Sequence, residues 1–228
     1  MHWNEKVPAL KIGEKVVQAT KMARVEYKKG MVFIHQQRHL YSGMDGGAMK
    51  EGKWAVKEVR THVFRQDEEP GERFRMQLDS ANVDQAKSSP AEPEAEPKPT
   101  PDVSLTYLPT SPLLFRYSAL TFNAHKVHYD RPWTQTMEGH PDLLVHGPLT
   151  ATLLIELAGQ SGGILRHFSY RAVKPLYVDR EIKLNAKWAK GEEGEGEGEG
   201  DGNGGWKSLK LWAEQEGRVG MKANAWLG

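Results

Sequence analysis

The chain contains no cysteine. A disulfide framework, a thiolate metal site and a cysteine nucleophile are thereby excluded. It has no apolar run near the roughly 18 residues that a membrane-spanning helix needs. Charge of one sign is not in excess either, because 31 basic residues face 30 acidic ones for a formal charge of +1. Without a basic surplus there is no general pull toward nucleic acid or an anionic membrane, and neither is expected as a partner. A phosphate-cradling glycine loop and a nucleophile elbow are also missing, which argues against nucleotide and serine-hydrolase chemistry. Apolar residues make up only 38% of the 228, a share that leaves room for solvated segments beside a core.

Two such segments stand out. SSPAEPEAEPKPTP, from Ser88 to Pro101, alternates proline with Glu, Ala and Lys and cannot bury enough apolar surface to fold. It predicts an extended linker, placed over 79–103. GEEGEGEGEGDGNGG, from Gly191 to Gly205, is acidic and glycine-rich and predicts a surface loop insert that does not pack.

Ahead of the linker, Leu10 to Thr20, Ala23 to Tyr27, Met31 to Tyr41 and Trp54 to Phe64 carry the β-branched and aromatic content of strands, with a turn at Lys28 to Gly30. They predict a three-stranded antiparallel remnant with Leu10 to Thr20 at its edge. Behind the linker, PLTATLLIELA from Pro148 to Ala158 predicts a buried helix with proline in its first turn. Four strands follow, over Ile164 to Val173, Glu181 to Lys190, Lys207 to Gln215 and Val219 to Leu227, the last two joined at Glu216-Gly217-Arg218. One apolar helix followed by antiparallel strands predicts an α+β arrangement in which a sheet wraps the helix.

Between linker and helix lies TFNAHKVHYD, Thr121 to Asp130, and then EGHPDLLVHGPLT with His140 and His146. A polar turn or helix cap explains many such residues. A metal site on His125, His128, His140 and His146 is a second reading, although H-x-x-H with no glutamate between matches no standard zinc spacing. Acid/base chemistry is the third: a histidine near neutrality can take a proton next to a carbonyl if something receives the enolate oxygen. The helix beginning at Gly147-Pro148 offers its first N–H groups and positive dipole end for that purpose, with Gly147 as donor because proline has none. The residues alone leave the polar turn and the proton-transfer site both standing.

FRYSALTFNAHKVHYD followed by HPDLLVHGPLTATLLIELA resembles the hot-dog dehydratases and hydratases acting on acyl thioesters, in particular the type 2 hydroxyacyl-thioester dehydratases of fungal mitochondria and the mesaconyl-CoA-type hydratases of bacteria. RAVKPLYVDREIKL and VRTHVFR extend the likeness to nearly the whole chain outside the linker and the insert. The resemblance implies a double hot-dog, antiparallel sheets wrapped around a central helix. A partial first repeat is expected over 1–78 and a catalytic second repeat over 104–228, the latter interrupted by the insert at 191–205. The first repeat is expected to be incomplete, since family members carry a first-repeat helix ahead of the position of Met1.

The resemblance further implies conversion of 3-hydroxyacyl thioesters to trans-2-enoyl thioesters, or the reverse hydration of a short branched or dicarboxylic enoyl-CoA. A binding protein without catalysis is the reading from another class. His128 takes the position of the general acid/base, and Asn123 stands where the R-specific hydratases have an aspartate. Gly147 would hold the thioester oxygen, and His146, His125 and Tyr117 would line the site, while Asp130 would orient His128 or serve only its loop. No cofactor and no metal are implied. The expected partners are a substrate thioester on acyl carrier protein or CoA and, for assembly, a homodimer. The implied location is mitochondrial, or cytoplasmic if the short start is genuine.

Overall fold

The computed structural model describes residues 1–43, 52–65, 99–193 and 206–228. Nine strands occur among the described residues: β1 (His2–Trp3), β2 (Val16–Lys28), β3 (Met31–Ser42), β4 (Val56–Arg65), β5 (Val103–Tyr107), β6 (Leu165–Ala172), β7 (Ile182–Glu193), β8 (Lys207–Gln215) and β9 (Arg218–Leu227). They form one antiparallel sheet in the order β2-β3-β4-β1-β6-β9-β8-β7-β5. The two halves of the chain therefore share a sheet, and a two-residue strand joins them. His2 pairs with Lys57 of β4 on one side and with His167 of β6 on the other.

Leu10 to Thr20 and Ala23 to Tyr27 are not two strands. Residues Val16–Lys28 run as one strand across a bulge between Met22 and Arg24, so Lys21 and Met22, between the two expected segments, sit in the ladder. Both tight hairpins use two residues with left-handed backbone, Lys29 (φ 53) with Gly30 (φ 71) and Glu216 (φ 50) with Gly217 (φ 74). Such turns match the twist of the strands they join. Arg218 lies in β9, opposite Gln215, and is not part of its turn. The expected linker overlaps a strand at its last residue, since Val103 opens β5. Its residues 79–98 lie outside the described residues, as do 194–205 of the expected insert. The first three residues of that insert belong to β7, where Glu193 pairs with Lys207 and the backbone ladder outlasts the acidic composition.

The chain forms three α-helices among the described residues: α1 (Ser111–Leu120), α2 (Arg131–Thr136) and α3 (Gly147–Gln160). Helix α3 lies on β6 to β9. It buries Thr150, Leu154, Leu157 and Ala158 at helical spacing, with Leu149 and Ala151 beside them. Facing them are Phe168, Ile182, Leu184, Leu209, Leu211 and Met221, together with the small Ala223 and Ala225 that let the helix approach the sheet. Each large side chain here contributes about 1.5–3 kcal/mol through burial. Of the described residues in 1–65, Ala55 is the one buried apolar side chain, while Met22, Val25, Val59, Val63 and Phe64 stay exposed. The core thus sits under α3, and the candidate site is built at the start of that helix.

Candidate active site

Helix α1 begins at Thr110, whose side chain accepts from the Leu113 N–H, and it has Pro112 in its first turn. It ends at Thr121, whose hydroxyl donates to the Tyr117 carbonyl at 2.7 Å. The chain then doubles back through Phe122 at φ 52. This bend lets the Asn123 N–H donate to the Ser118 carbonyl at 2.9 Å. The Asn123 side-chain oxygen accepts from the His125 N–H at 3.0 Å, an Asx turn. A 3₁₀ turn, Lys126–His128, follows with Val127 buried beneath it.

This turn aims His128. Its Nδ1 lies 2.8 Å from the Leu144 carbonyl oxygen, and a carbonyl only accepts, so Nδ1 carries the proton. The neutral ring then keeps a lone pair on Nε2, the nitrogen that can act as a base. Burial lowers the pKa of His128 below the ordinary value of 6.5. The bond to Leu144 opposes that shift, and His125 adds to it. The His128 ring lies flat on that of His146, with centroids 3.6 Å apart and planes 20° from parallel. His146 is fully buried and is the residue immediately before α3. Its pKa is pushed down to about 4, first by burial and then by the charge of His128. His146 Nε2 lies 2.9 Å from the Ser118 hydroxyl, and Tyr117 meets the ring edge-on at 4.9 Å.

The segment leading to α3 is stapled from several sides. The Leu144 N–H donates to the Val127 carbonyl at 2.9 Å, and the Val145 N–H donates to that of Leu176 at 2.8 Å. Arg131 joins Asp142 at 2.6 Å and Asp179 at 3.4 Å. At the helix start the Gly147 N–H has no partner within α3, by helix geometry. A Cβ on Gly147 would meet Met221 Cε at 3.9 Å, an ordinary contact, so packing on that side does not itself require glycine.

The structure therefore brings His128, His146 and Tyr117 together at the mouth of α3, and Asn123 joins them through Ser118. His125 is exposed and its ring stands edge-on to His128 at 5.8 Å. Asp130 does not orient His128. Its carboxylate caps α2 by accepting from the Trp133 N–H at 3.0 Å, so it serves the loop. The stacked rings also bear on the four-histidine metal reading: imidazole lone pairs lie in the ring plane, so rings lying face to face do not converge on one ion. Among the described residues no three His, Cys, Asp or Glu side chains are arranged to hold a metal.

Beside the ring pair an open cleft of about 360 Å³ is lined by Phe115, Ser118, Ala119, Phe122, Asn123 and Tyr129, among others. His128 is not in this lining; Ser118 touches both. Ser118 and the Leu144 carbonyl are the two groups that sequence reasoning missed. The T-S-P start of α1 was a usable helix signal for Ser118, whereas nothing in the sequence points to a backbone oxygen.

The family model for hydroxyacyl-thioester dehydratase type 2 matches residues 2–178. The chain belongs to this family. As a hydroxyacyl-thioester dehydratase type 2 family member it is 47% identical to the mesaconyl-C(4)-CoA hydratase of Chloroflexus aurantiacus over 100 residues, 43% of this chain and 36% of that protein. It is 32% identical to the mitochondrial hydroxyacyl-thioester dehydratase type 2 of Schizosaccharomyces pombe over 91 residues, 38% of this chain and 30% of that protein. The chain thus spans about a third of the length of these curated relatives. In fold it is similar to a MaoC-like dehydratase, with TM-score 0.68 and 15% identity over 96% of this chain and 71% of that one. The full-length peroxisomal multifunctional enzyme type 2 of Drosophila melanogaster gives a TM-score of 0.62 at 13% identity, over 97% of this chain and 35% of that one. The fold of this family member is the α+β hot-dog kind, with its long helix on the second half of the sheet. No helix among the described residues is long and apolar enough to cross a membrane.

Proposed function

We propose that this chain interconverts 3-hydroxyacyl and trans-2-enoyl thioesters, with His128 as general acid/base. The observation that carries this reading is the bond from His128 Nδ1 to the Leu144 carbonyl, which leaves Nε2 as a base beside the start of α3. In the dehydration direction Nε2 takes the α-proton, and the electron pair moves into the thioester carbonyl. The enolate oxygen is received by the Gly147 N–H at the positive end of the helix. The same imidazolium then returns its proton to the departing 3-hydroxyl, which leaves as water. Asn123 orients that hydroxyl through its amide, because an amide hydrogen-bonds but does not exchange a proton as a carboxylate does. His146 and Tyr117 back the ring, and His125 flanks the approach. The substrate is carried on acyl carrier protein or CoA, and the 79–103 stretch separates a first repeat from the catalytic one.

Work on mitochondrial acyl carrier protein thioesters is favoured by the likeness to the fission-yeast relative. Hydration of a short branched or dicarboxylic enoyl-CoA is the second reading, favoured by the 47% identity to the Chloroflexus relative. The test follows enoyl thioester absorbance with the purified chain on crotonyl-CoA and on a mesaconyl thioester. Turnover of either, lost by about 10²–10⁴-fold in His128→Ala, is the expected result. Unchanged turnover in that variant would remove His128 from the mechanism, and no turnover by the native chain would leave a thioester-binding protein.

A further inference from the structure

We propose that Ser118 is the positioning residue of this site, holding Asn123 through its carbonyl oxygen and the His146–His128 ring pair through its hydroxyl. The inference rests on the reading of His128 as the base. Ser118 is 6% exposed and sits in the last turns of α1, just ahead of the histidine loop and far in sequence from His146. Its carbonyl oxygen accepts the Asn123 N–H at 2.9 Å, and its Oγ lies 2.9 Å from His146 Nε2. One residue thus ties together both groups assigned to the chemistry.

The need for such a tie follows from ring geometry. The lone pair of His128 Nε2 lies in the plane of its ring, so the tilt of that plane decides where the base points. The bond from Nδ1 to Leu144 sets one direction in the plane and leaves rotation about it; the stack on His146 removes that rotation. His146 must itself be held. Its Nδ1 is buried without a partner among the described residues, and the edge contact with Tyr117 tolerates rotation. The Ser118 hydroxyl is then its one polar anchor. A buried N–H left unpaired costs more than an unpaired lone pair, which places the His146 proton on Nε2, donated to Oγ. The serine hydroxyl hydrogen stays available toward the cleft that Ser118 lines.

The test combines Ser118→Ala, His146→Phe, the double variant and Ser118→Thr. Phenylalanine keeps a flat ring under His128 but makes no bond to Ser118. We expect Ser118→Ala to lower kcat by about 10²-fold, the scale of loss for a small misplacement of a catalytic group, with KM near the native value. Ser118→Thr, which keeps the hydroxyl, restores kcat. The double variant costs no more than His146→Phe alone, because the serine acts through that ring. A second readout is the titration of the His128 ring nitrogens by NMR, which needs no turnover. The titratable groups facing this ring are His125 and His146, with Tyr117 behind His146, and Lys126 is paired with Asp130 at 3.7 Å. In Ser118→Ala the loosened stack admits water and the His128 titration moves up toward the ordinary histidine value. Multiplying costs in the double variant, or a His128 titration unmoved by Ser118→Ala, would overturn the proposal. An unmoved titration with turnover abolished by His128→Ala sinks only the positioning role; a moved titration with His128→Ala fully active sinks only the base.

Discussion

His128 and His146 lie face to face with ring centroids 3.6 Å apart, and the buried one cannot share the charge of the other. Two imidazolium ions at that distance repel strongly, and burial already holds His146 to about 4. The pair therefore carries at most one positive charge near neutrality, and His128 is the ring that takes the added proton. Because burial also lowers His128 below 6.5, the acid limb of kcat/KM for dehydration is expected below pH 6.5. A pH–rate profile with its acid limb above that value would contradict the neutral, buried base.

Asn123 tests the amide at the position of a carboxylate. Its side-chain oxygen accepts the His125 N–H at 3.0 Å, and an aspartate keeps that acceptor while an alanine removes it. Asn123→Ala should lose about 0.5–1.5 kcal/mol of stability along with turnover, whereas Asn123→Asp should melt like the native chain. Urea midpoints of the two variants, measured beside their kcat, decide this. Equal destabilisation by both would mean that the Asx turn does not set the loop.

Stability should fall on the acid side of neutrality. His128, His146 and His167 all have lowered pKa values through burial, the last two to about 4. Between pH 6.5 and about 4 the unfolded chain takes up protons that the native rings refuse. The contribution of these rings is fully present above 6.5 and declines as pH falls, by about 1.4 kcal/mol per pH unit for each such proton. Denaturant unfolding at pH 7 and pH 5 measures the difference. His146→Phe should flatten the dependence, and a slope unaltered by it would show that His146 is protonated in the native state.

Gly220 links the sheet to the site. A Cβ there would lie 2.3 Å from Leu176 Cδ2, and the Leu176 carbonyl accepts the Val145 N–H just before α3. Gly220→Ala should cost about 1–3 kcal/mol by overpacking, a Tm decrease of roughly 2–12 °C for a chain of this size. It should lower activity as well, by shifting the segment that carries Leu144 and His146. Calorimetry on the variant checks the first effect, and a native Tm would mean that Leu176 has room to move.

Hydrophobic period and turn chemistry are local properties. PLTATLLIELA announced α3, and the strands β8 and β9 were readable from alternation to within a residue. Helix α1 and strand β5 escaped because their apolar pattern is weak: Phe115 and Leu120 of α1 are exposed, as are Val103 and Leu105 of β5. The continuity of β2, read as two segments, escaped for a different reason, since its ladder with β3 carries the strand across polar residues.

The sequence by itself determined which residue types could do the chemistry: no thiol, several histidines in one polar stretch, and a glycine-proline helix start behind them. It also determined the family, through the motifs around Asn123, His128 and Gly147. Only the tertiary structure decided that His128 stacks on His146, that Leu144 supplies the oxygen selecting its tautomer, and that Ser118 reaches the ring from another helix. Those contacts join residues 16 to 28 positions apart. Such distances carry no local signal, because a hydrogen bond between folded segments depends on how the sheet and helices pack and not on the spacing along the chain.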